Sequence, residues 1–520
     1  MNVVGLVFGK SSISEFSFVV NPQLMPRFGE YVVAKNNEGE EVLGIVREIS
    51  SFNRLIVDEF GFDYMLKNLA ASRSLLERNE VVVANASVVG VMRDGFVEPN
   101  RSPVKPSSEV RIADDEMLRR LFSPTRSSIE IGRLLTREDV AVSLDVNQLV
   151  LRHFAILSVT GGGKSNTVAV IVNDVVRKLK GTVVLIDPHG EYVGYTFEDG
   201  TELGKNIVPA GIRPERLEPW EFASLVGVDR ERAAVQRMHL ERAFTTVRAM
   251  GLSGRDFVEA VLDRIEEWIN AASQRREVEY YDVNGARRIA TLDRQDLSSL
   301  GRIKEYVSSF LRRYEDLLQQ RDMLASIKPS YLNVVDLSGF DEMQMRVVVA
   351  YLLRNLLTGR INYLRGRRGW ESVCPAVRKP VLLIFEEAHI FASKDYNDVT
   401  LWMGRIAREG RKFGIGMGIV SQRPKKINED ILSQCNTKIV LRIVEPSDQR
   451  YIQQASESIS EDLLKDIASL GVGEAVIVGP AVKLPVAVKI RRFTGSYGGG
   501  DRNVVEEWSE EDFSLEELAV

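Results

Sequence analysis

The stretch that most constrains the fold is Ala155-Ile-Leu-Ser-Val-Thr-Gly-Gly-Gly-Lys-Ser-Asn-Thr167. A short apolar run stops at a triple glycine, and Lys164 and Ser165 then open a segment with no helix breaker through Leu179. Strand, glycine loop and helix in that order make a phosphate cradle. Successive backbone N–H groups turn inward around an anion, the helix N-terminus adds positive potential, and a lysine reaches the β/γ-phosphates. The spacing departs from the usual Gly-x-x-x-x-Gly-Lys-Ser/Thr pattern at one position, where Ser158 replaces the first glycine. Thr160, Gly161, Gly162, Gly163, Lys164, Ser165 and Asn166 are the candidate ATP-binding residues, with Ser165 as a ligand for Mg²⁺.

A chain of 520 residues, 44% hydrophobic and 27% charged, has the length for two or three domains and an ordinary globular composition. No apolar stretch is long enough to cross a bilayer, and the N-terminus lacks the pattern of a signal peptide, so a cytoplasmic protein is expected. Cys374 and Cys435 stand far apart without metal-ligand spacing and read as buried thiols. The net charge of −5 argues against nucleic-acid binding over the whole surface but allows a local basic channel.

Short strands separated by turn signals fill the first hundred residues: Val3 to Phe8, Glu15 to Val20, Glu30 to Ala34, Val42 to Ile49 and Val81 to Val91. They predict a small β-barrel over 1–105, with Pro103 and Pro106 in a linker. From about 125 the pattern becomes α/β. Buried strands ending at Val159, Ile186, Leu337, Phe385, Val420, Ile443 and Val478 alternate with helical segments, which predicts a parallel-rich sheet covered on both faces. The expected division is a core in two parts, 125–211 and 331–483, interrupted by a helical insertion over 212–330 and followed by a C-terminal arm over 484–520. The charge runs Asp229-Arg-Glu-Arg232 and Arg312-Arg-Tyr-Glu315 are read as solvated helix faces.

The apolar strand Val381 to Phe385 runs into Glu386-Glu-Ala-His389. Paired acids at a strand end suit the division of labour in phosphoryl transfer: Glu386 on Mg²⁺ through its water shell, Glu387 polarising the attacking water. Asp187, in Asp187-Pro-His-Gly-Glu-Tyr192, ends another strand and is the second candidate base, while His189 and His389 read first as structural histidines. Gln422 follows a third strand and suits hydrogen bonding to the γ-phosphate or water. Arg405, Arg408 and Arg411 recur at spacings of three; in a ring, an arginine at such a helix end would reach a neighbour's γ-phosphate. Arg360, Arg365, Arg367 and Arg368, and Lys425-Lys426, are candidate pore-lining groups or solvated loop charges.

In combination, Thr160-Gly-Gly-Gly-Lys-Ser-Asn166, Asp187-Pro-His-Gly-Glu-Tyr192, Glu386-Glu-Ala-His389, Ile406-Ala-Arg-Glu-Gly-Arg411 and Val420-Ser-Gln-Arg-Pro424 resemble the HerA family of hexameric DNA translocases, within the HerA/FtsK group of P-loop ATPases. Met25-Pro-Arg-Phe-Gly-Glu-Tyr31 and Gly44-Ile-Val-Arg47 resemble the small barrel that this family shares with rotary ATP synthases. The resemblance implies a RecA/FtsK-like core and a homo-hexamer with double-stranded DNA in a central pore. It also implies Arg411 as the trans-acting finger with Arg408 as the alternative, and Arg152 as a second basic position near nucleotide. A NurA-type nuclease and a recombination repair complex are its implied partners, in end resection at double-strand breaks in an archaeal cytoplasm. Glu386 stands where many relatives have Asp. Two competing readings remain at this point: a ring ATPase that moves protein, as in secretion, and a non-catalytic nucleotide switch.

Overall fold

The computed structural model describes residues 3–54, 66, 73, 76–77, 79–93, 96–122, 125–228, 233–282, 285–318, 322–395, 397–456, 459 and 461–498. The charge run Asp229-Arg-Glu-Arg232 and the acidic end of the arm lie outside the described residues. The chain forms two compact units. The first comprises Met1–Asp174, Ser421–Lys425 and Cys435–Arg492; the second comprises Val175–Val420, Lys426–Gln434 and Phe493–Val520.

The first unit begins with a closed antiparallel barrel. Its strands are β1 (Val3–Phe8), β2 (Glu15–Val20), β3 (Tyr31–Lys35), β4 (Glu41–Asn53), β5 (Glu80–Arg93), β6 (Phe96–Glu98) and β7 (Glu109–Ile112). The order is β2-β1-β7-β3-β4-β5, closed by pairing of β5 with β2, while β6 hangs on β5. Closure leaves those six strands without a free edge. Phe16, Phe18 and Val20 alternate inward along β2 and meet Val32, Val42, Val46, Ala84 and Val110 in the barrel core.

The Pro103–Pro106 linker expected from the sequence is instead barrel wall. Val104 is fully buried, bridges Asn36, and is followed by the Lys105 N–H donating to the Lys35 carbonyl at 2.8 Å. Prolines without an N–H flank one bridging residue here, and β7 then closes the ring.

The rest of the first unit carries β8 (Ser128–Leu134), β9 (Arg137–Asp145), β10 (Phe154–Leu157), β18 (Thr437–Leu441), β19 (Glu474–Val478) and β20 (Val486–Ile490). Strand β10 pairs parallel with β18, which continues antiparallel through β19, β20, β8 and β9. Every residue of β10 and β18 is buried, the apolar run of β10 as well as Thr437 and Lys438 at the start of β18. Arg47 of the barrel forms an ion pair with Asp466 of the helix Glu461–Ser469, and Tyr31 donates to the Pro485 carbonyl at 3.3 Å.

The second unit holds β11 (Thr182–Asp187), β12 (Lys205–Val208), β15 (Leu332–Asp336), β16 (Val381–Phe385) and β17 (Ile415–Ser421), all parallel, in the order β12-β15-β11-β16-β17. Helices Pro219–Leu225, Ala234–Arg248, Gly254–Ser273 and Arg294–Arg313 contribute Phe222, Phe244, Phe257 and Phe310 to one aromatic core, with ring centroids 5.0–6.3 Å apart. The insertion also contains a hairpin, β13 (Glu277–Tyr281) with β14 (Arg287–Thr291), which helical periodicity does not suggest. The sequence between its strands holds Asn284-Gly285, a turn signal outweighed by the charged helices on either side. Among the described residues no helix is long and apolar enough to cross a membrane.

Candidate nucleotide site

The phosphate loop belongs to the first unit. Strand β10 ends at Leu157, and the helix Lys164–Arg177 begins at the lysine itself. Gly161 and Gly163 adopt φ of +74° and +107°, backbone positions that a side chain would strain. Gly162 is required for a different reason: a β-carbon there would collide with Ser158 Oγ. The serine that replaces the usual first glycine is buried, donates to the Val159 carbonyl at 2.8 Å, and occupies the volume that Gly162 leaves open.

A turn after the helix Glu461–Ser469 supports the loop from beneath. The Gly473 N–H donates to the Gly162 carbonyl at 3.1 Å, and a side chain on Gly163 would meet Gly473 Cα and Leu441 Cδ2 at 3.3 Å. Lys164 Nζ lies 3.5 Å from the Val159 carbonyl, a long contact that a phosphate oxygen would outcompete. Ser165 is the second residue of the helix and half-buried. Asn166, expected in the phosphate cradle, turns its amide to the Arg491 carbonyl at 2.9 Å. Gln422 Oε1 accepts from Thr160 Oγ1, which places the amide beside the loop. Arg152 is exposed at the end of the helix Val146–Arg152, with its carbonyl accepting from the Asn436 N–H at 3.0 Å.

The acids belong to the second unit. Glu386 follows β16; its N–H donates to the Ile186 carbonyl at 3.1 Å, and its side chain is 7% exposed. Burial pushes its carboxyl up to about 7, the negative charges of Glu191, Glu387 and Asp187 add to the rise, and a hydrogen bond from Tyr192 opposes it. That bond, from Tyr192 Oη to Glu386 Oε1, is 2.6 Å long. Glu387 takes the left-handed conformation at φ +43° and lies 3.1 Å from His389 Nδ1. Non-glycine residues at such angles cost about 1–3 kcal/mol and persist where the surroundings fix them, most often at functional sites.

Asp187, the second candidate base, is committed to its own loop. Its carboxylate accepts from the backbone N–H groups of His189 at 3.3 Å, Glu191 at 3.2 Å and Tyr192 at 2.8 Å. Burial raises its pKa, and those three bonds pull the other way. His189 is exposed.

The helix Asp398–Phe413 is capped by Asn397, whose side chain accepts from the Thr400 N–H at 2.9 Å, and stops at Gly414 with φ +68°. Val399, Met403, Ile406, Ala407 and Gly410 form its buried face. Arg408 and Arg411 are exposed, whereas Arg405 lies 3.3 Å from Glu409 and over the Trp402 ring. Arg360 is not a pore-lining group. It is 7% exposed and donates to the carbonyls of Phe413 at 2.8 Å and Val377 at 2.7 Å, a clamp on the helix end. Arg365, Arg367 and Arg368 are exposed, and Lys425 donates to Ser447 Oγ at 2.6 Å.

Among the described residues no group of three or more His, Cys, Asp or Glu side chains is arranged to hold a metal ion. Mg²⁺ is ordinarily held by one or two protein oxygens with water and phosphates, not by a protein cage. In the first unit, Ser165 offers a hard oxygen donor of that kind; in the second, mutual repulsion among Glu386, Glu387, Glu191 and Asp187 would be relieved by a cation. Tyr192 figures in the sequence only as part of a motif; its role as donor to Glu386 depends on the pairing of β11 with β16 and has no local signal.

Three family matches cover most of the chain: the HAS barrel domain over 4–111, the Helicase HerA central domain over 129–356, and the Helicase HerA-like C-terminal domain over 374–490. A DNA double-strand break repair helicase HerA from Pyrococcus furiosus is 42% identical over 97% of this chain and 96% of its own length. A probable DNA double-strand break repair helicase HerA from Methanocaldococcus jannaschii is also 42% identical, over 96% of this chain and 98% of its own. Among solved structures, VirB4 of Thermoanaerobacter pseudethanolicus is similar with a TM-score of 0.51 at 16% identity, covering 71% of this chain and 97% of that one. At that identity the likeness speaks for the fold alone.

Proposed function

The chain belongs to the HerA helicase family, and from that premise we propose that it is an ATP-driven DNA translocase and helicase. We infer further that it works as a homo-hexameric ring around duplex DNA in the cytoplasm, feeding ends to a NurA-type nuclease alongside a recombination repair complex in double-strand-break resection. The observation that carries the ATPase reading is the glycine loop, with its two left-handed glycines, Lys164 at the helix start and Gln422 hydrogen-bonded at Thr160.

In this reading the backbone amides of 161–165 bind the phosphates, and Lys164 exchanges the Val159 carbonyl for a γ-phosphate oxygen. Ser165 on the loop helix would ligate magnesium, which would neutralise phosphate charge there; in the second unit, Glu386 would engage such an ion through its water shell. Glu387 accepts the proton of the attacking water and His389 fixes its carboxylate. Gln422 reports the presence of the γ-phosphate to Thr160 and the loop. Arg411 reaches the neighbouring subunit's nucleotide, with Arg408 as the alternative and Arg152 as an accessory charge.

The test is ATP hydrolysis by the purified chain with and without linear duplex DNA, alongside its mass in solution. DNA-stimulated turnover by a species near six subunits supports the reading. Turnover indifferent to DNA at low salt, with the nuclease present, rejects it.

A further inference from the structure

Glu386 and Tyr192 come from different strand ends, and the packing around Tyr192 is more elaborate than one hydrogen bond needs. The tyrosine is fully buried. Its backbone N–H is held by Asp187 Oδ2 at 2.8 Å, which fixes where the ring leaves the chain. The ring stacks at 17° on Tyr497, centroids 6.3 Å apart, and at 29° on Tyr195, centroids 6.4 Å apart. Tyr195 in turn stacks on Phe493 at 5.3 Å. The C-terminal segment carrying Phe493 and Tyr497 is itself tied down: the Thr196 N–H donates to the Ser496 carbonyl at 2.9 Å, and the Gly498 N–H to the Glu191 carbonyl at 2.5 Å.

A phenol has one proton to donate. Spending it on Glu386 Oε1 fixes the rotation of that carboxyl group and leaves Oε2 as the oxygen offered to water or a cation. We propose that Tyr192 is the positioning residue for Glu386 and that residues 493–498 form a strap holding Tyr192 in place; the inference rests on the ATPase reading of this site. Asp187 then has a defined task. Instead of abstracting a proton, it closes the loop that delivers the Tyr192 hydroxyl. The strap makes the C-terminal segment part of the catalytic apparatus without touching substrate.

Tyr192→Phe keeps the ring and its stacks and deletes only the hydroxyl. Loss of a partner that orients a metal-linked carboxylate typically costs about 10–100-fold in activity, so kcat for ATP hydrolysis should fall by that factor. The dissociation constant for ATP, measured without turnover, should stay within about twofold, because no phosphate contact is removed. Tyr497→Ala, which leaves the hydroxyl intact, should lower kcat by a smaller factor in the same direction.

Glu386→Gln is run in parallel. Wild-type turnover in Glu386→Gln would reject the ATPase reading of the site itself. An inactive Glu386→Gln beside a Tyr192→Phe with unchanged kcat would overturn the positioning role alone. Loss of ATP binding together with kcat in Tyr192→Phe would also overturn it, since that is the signature of general disruption.

Discussion

Replacing Glu386 by glutamine should stabilise the nucleotide-free protein, by an amount that grows as pH rises toward neutrality. In the native state the Glu386 carboxyl sits at about 7 against an ordinary 4.5, first because it is buried and then because Glu191, Glu387 and Asp187 repel its charge. A carboxyl whose pKa rises on folding holds its proton more tightly in the native state. Its contribution to stability is therefore complete below about pH 4.5 and is lost as pH rises through about 7. Ionising it in place costs the native state about 3 kcal/mol, at about 1.4 kcal/mol for each pH unit of displacement. The glutamine of the variant does not titrate, and its carbonyl can still accept from Tyr192.

The assay is urea denaturation of both proteins between pH 4.5 and 9 without magnesium or nucleotide, read as the difference between them so that titrating groups distant from Glu386 cancel. The variant's advantage should grow by about 3 kcal/mol across that range, most steeply between about 5 and 7. Adding Mg²⁺ and a non-hydrolysable nucleotide should shrink it, because a nearby cation favours the ionised carboxylate. A difference that stays flat with pH would refute the argument that Glu386 is held in a buried, mutually repelling group of acids.

Gly162→Ala should weaken ATP binding by driving a methyl group against Ser158 Oγ, and adding Ser158→Gly should recover part of it, the Val159 carbonyl at 3.2 Å remaining in the way; fluorescent-nucleotide titration reads both. Arg411→Ala should bind ATP normally and turn over slowly; mixing it with Glu387→Gln subunits should recover some activity if the arginine acts across a subunit boundary, and unaltered turnover in Arg411→Ala moves the role to Arg408. Arg47→Ala should destabilise the protein, because it takes a guanidinium away from the buried Asp466, with thermal denaturation as the readout.

What is legible in the sequence is local chemistry. The phosphate loop, the paired acids after β16 and the arginines spaced by three from Arg405 to Arg411 each lie within a few consecutive residues, and each combines a residue type with a spacing. Long buried strands are equally visible, because a parallel sheet covered on both faces demands uninterrupted Val, Ile and Leu. The supports are not legible. Val104 reads as linker because its flanking prolines are visible and its bridge to Asn36 is not. Arg360 reads as one of four loop arginines because nothing local shows that its guanidinium faces the Phe413 and Val377 carbonyls. The hairpin of β13 and β14 lies between long helices whose charge pattern dominates any window drawn around it.

The same asymmetry explains how the loop tolerates a missing glycine. A serine at position 158 would ordinarily crowd a phosphate cradle, yet here its hydroxyl turns back onto the Val159 carbonyl and fills the space that Gly162 vacates. The loop's backbone is then set from two sides: by Ser158 within it, and by the Gly473 N–H on the Gly162 carbonyl beneath it. Gly473 lies just beyond the helix that carries Asp466, the partner of Arg47 in the barrel. A displacement of that helix would thus be felt at Gly162 through one intervening turn. Asp466→Asn should accordingly weaken nucleotide affinity as well as stability, whereas a change of comparable stability cost inside the barrel core, such as Val46→Ala, should leave affinity alone. Equal affinities for the two variants would show that the barrel is fastened to the loop's support without acting on it.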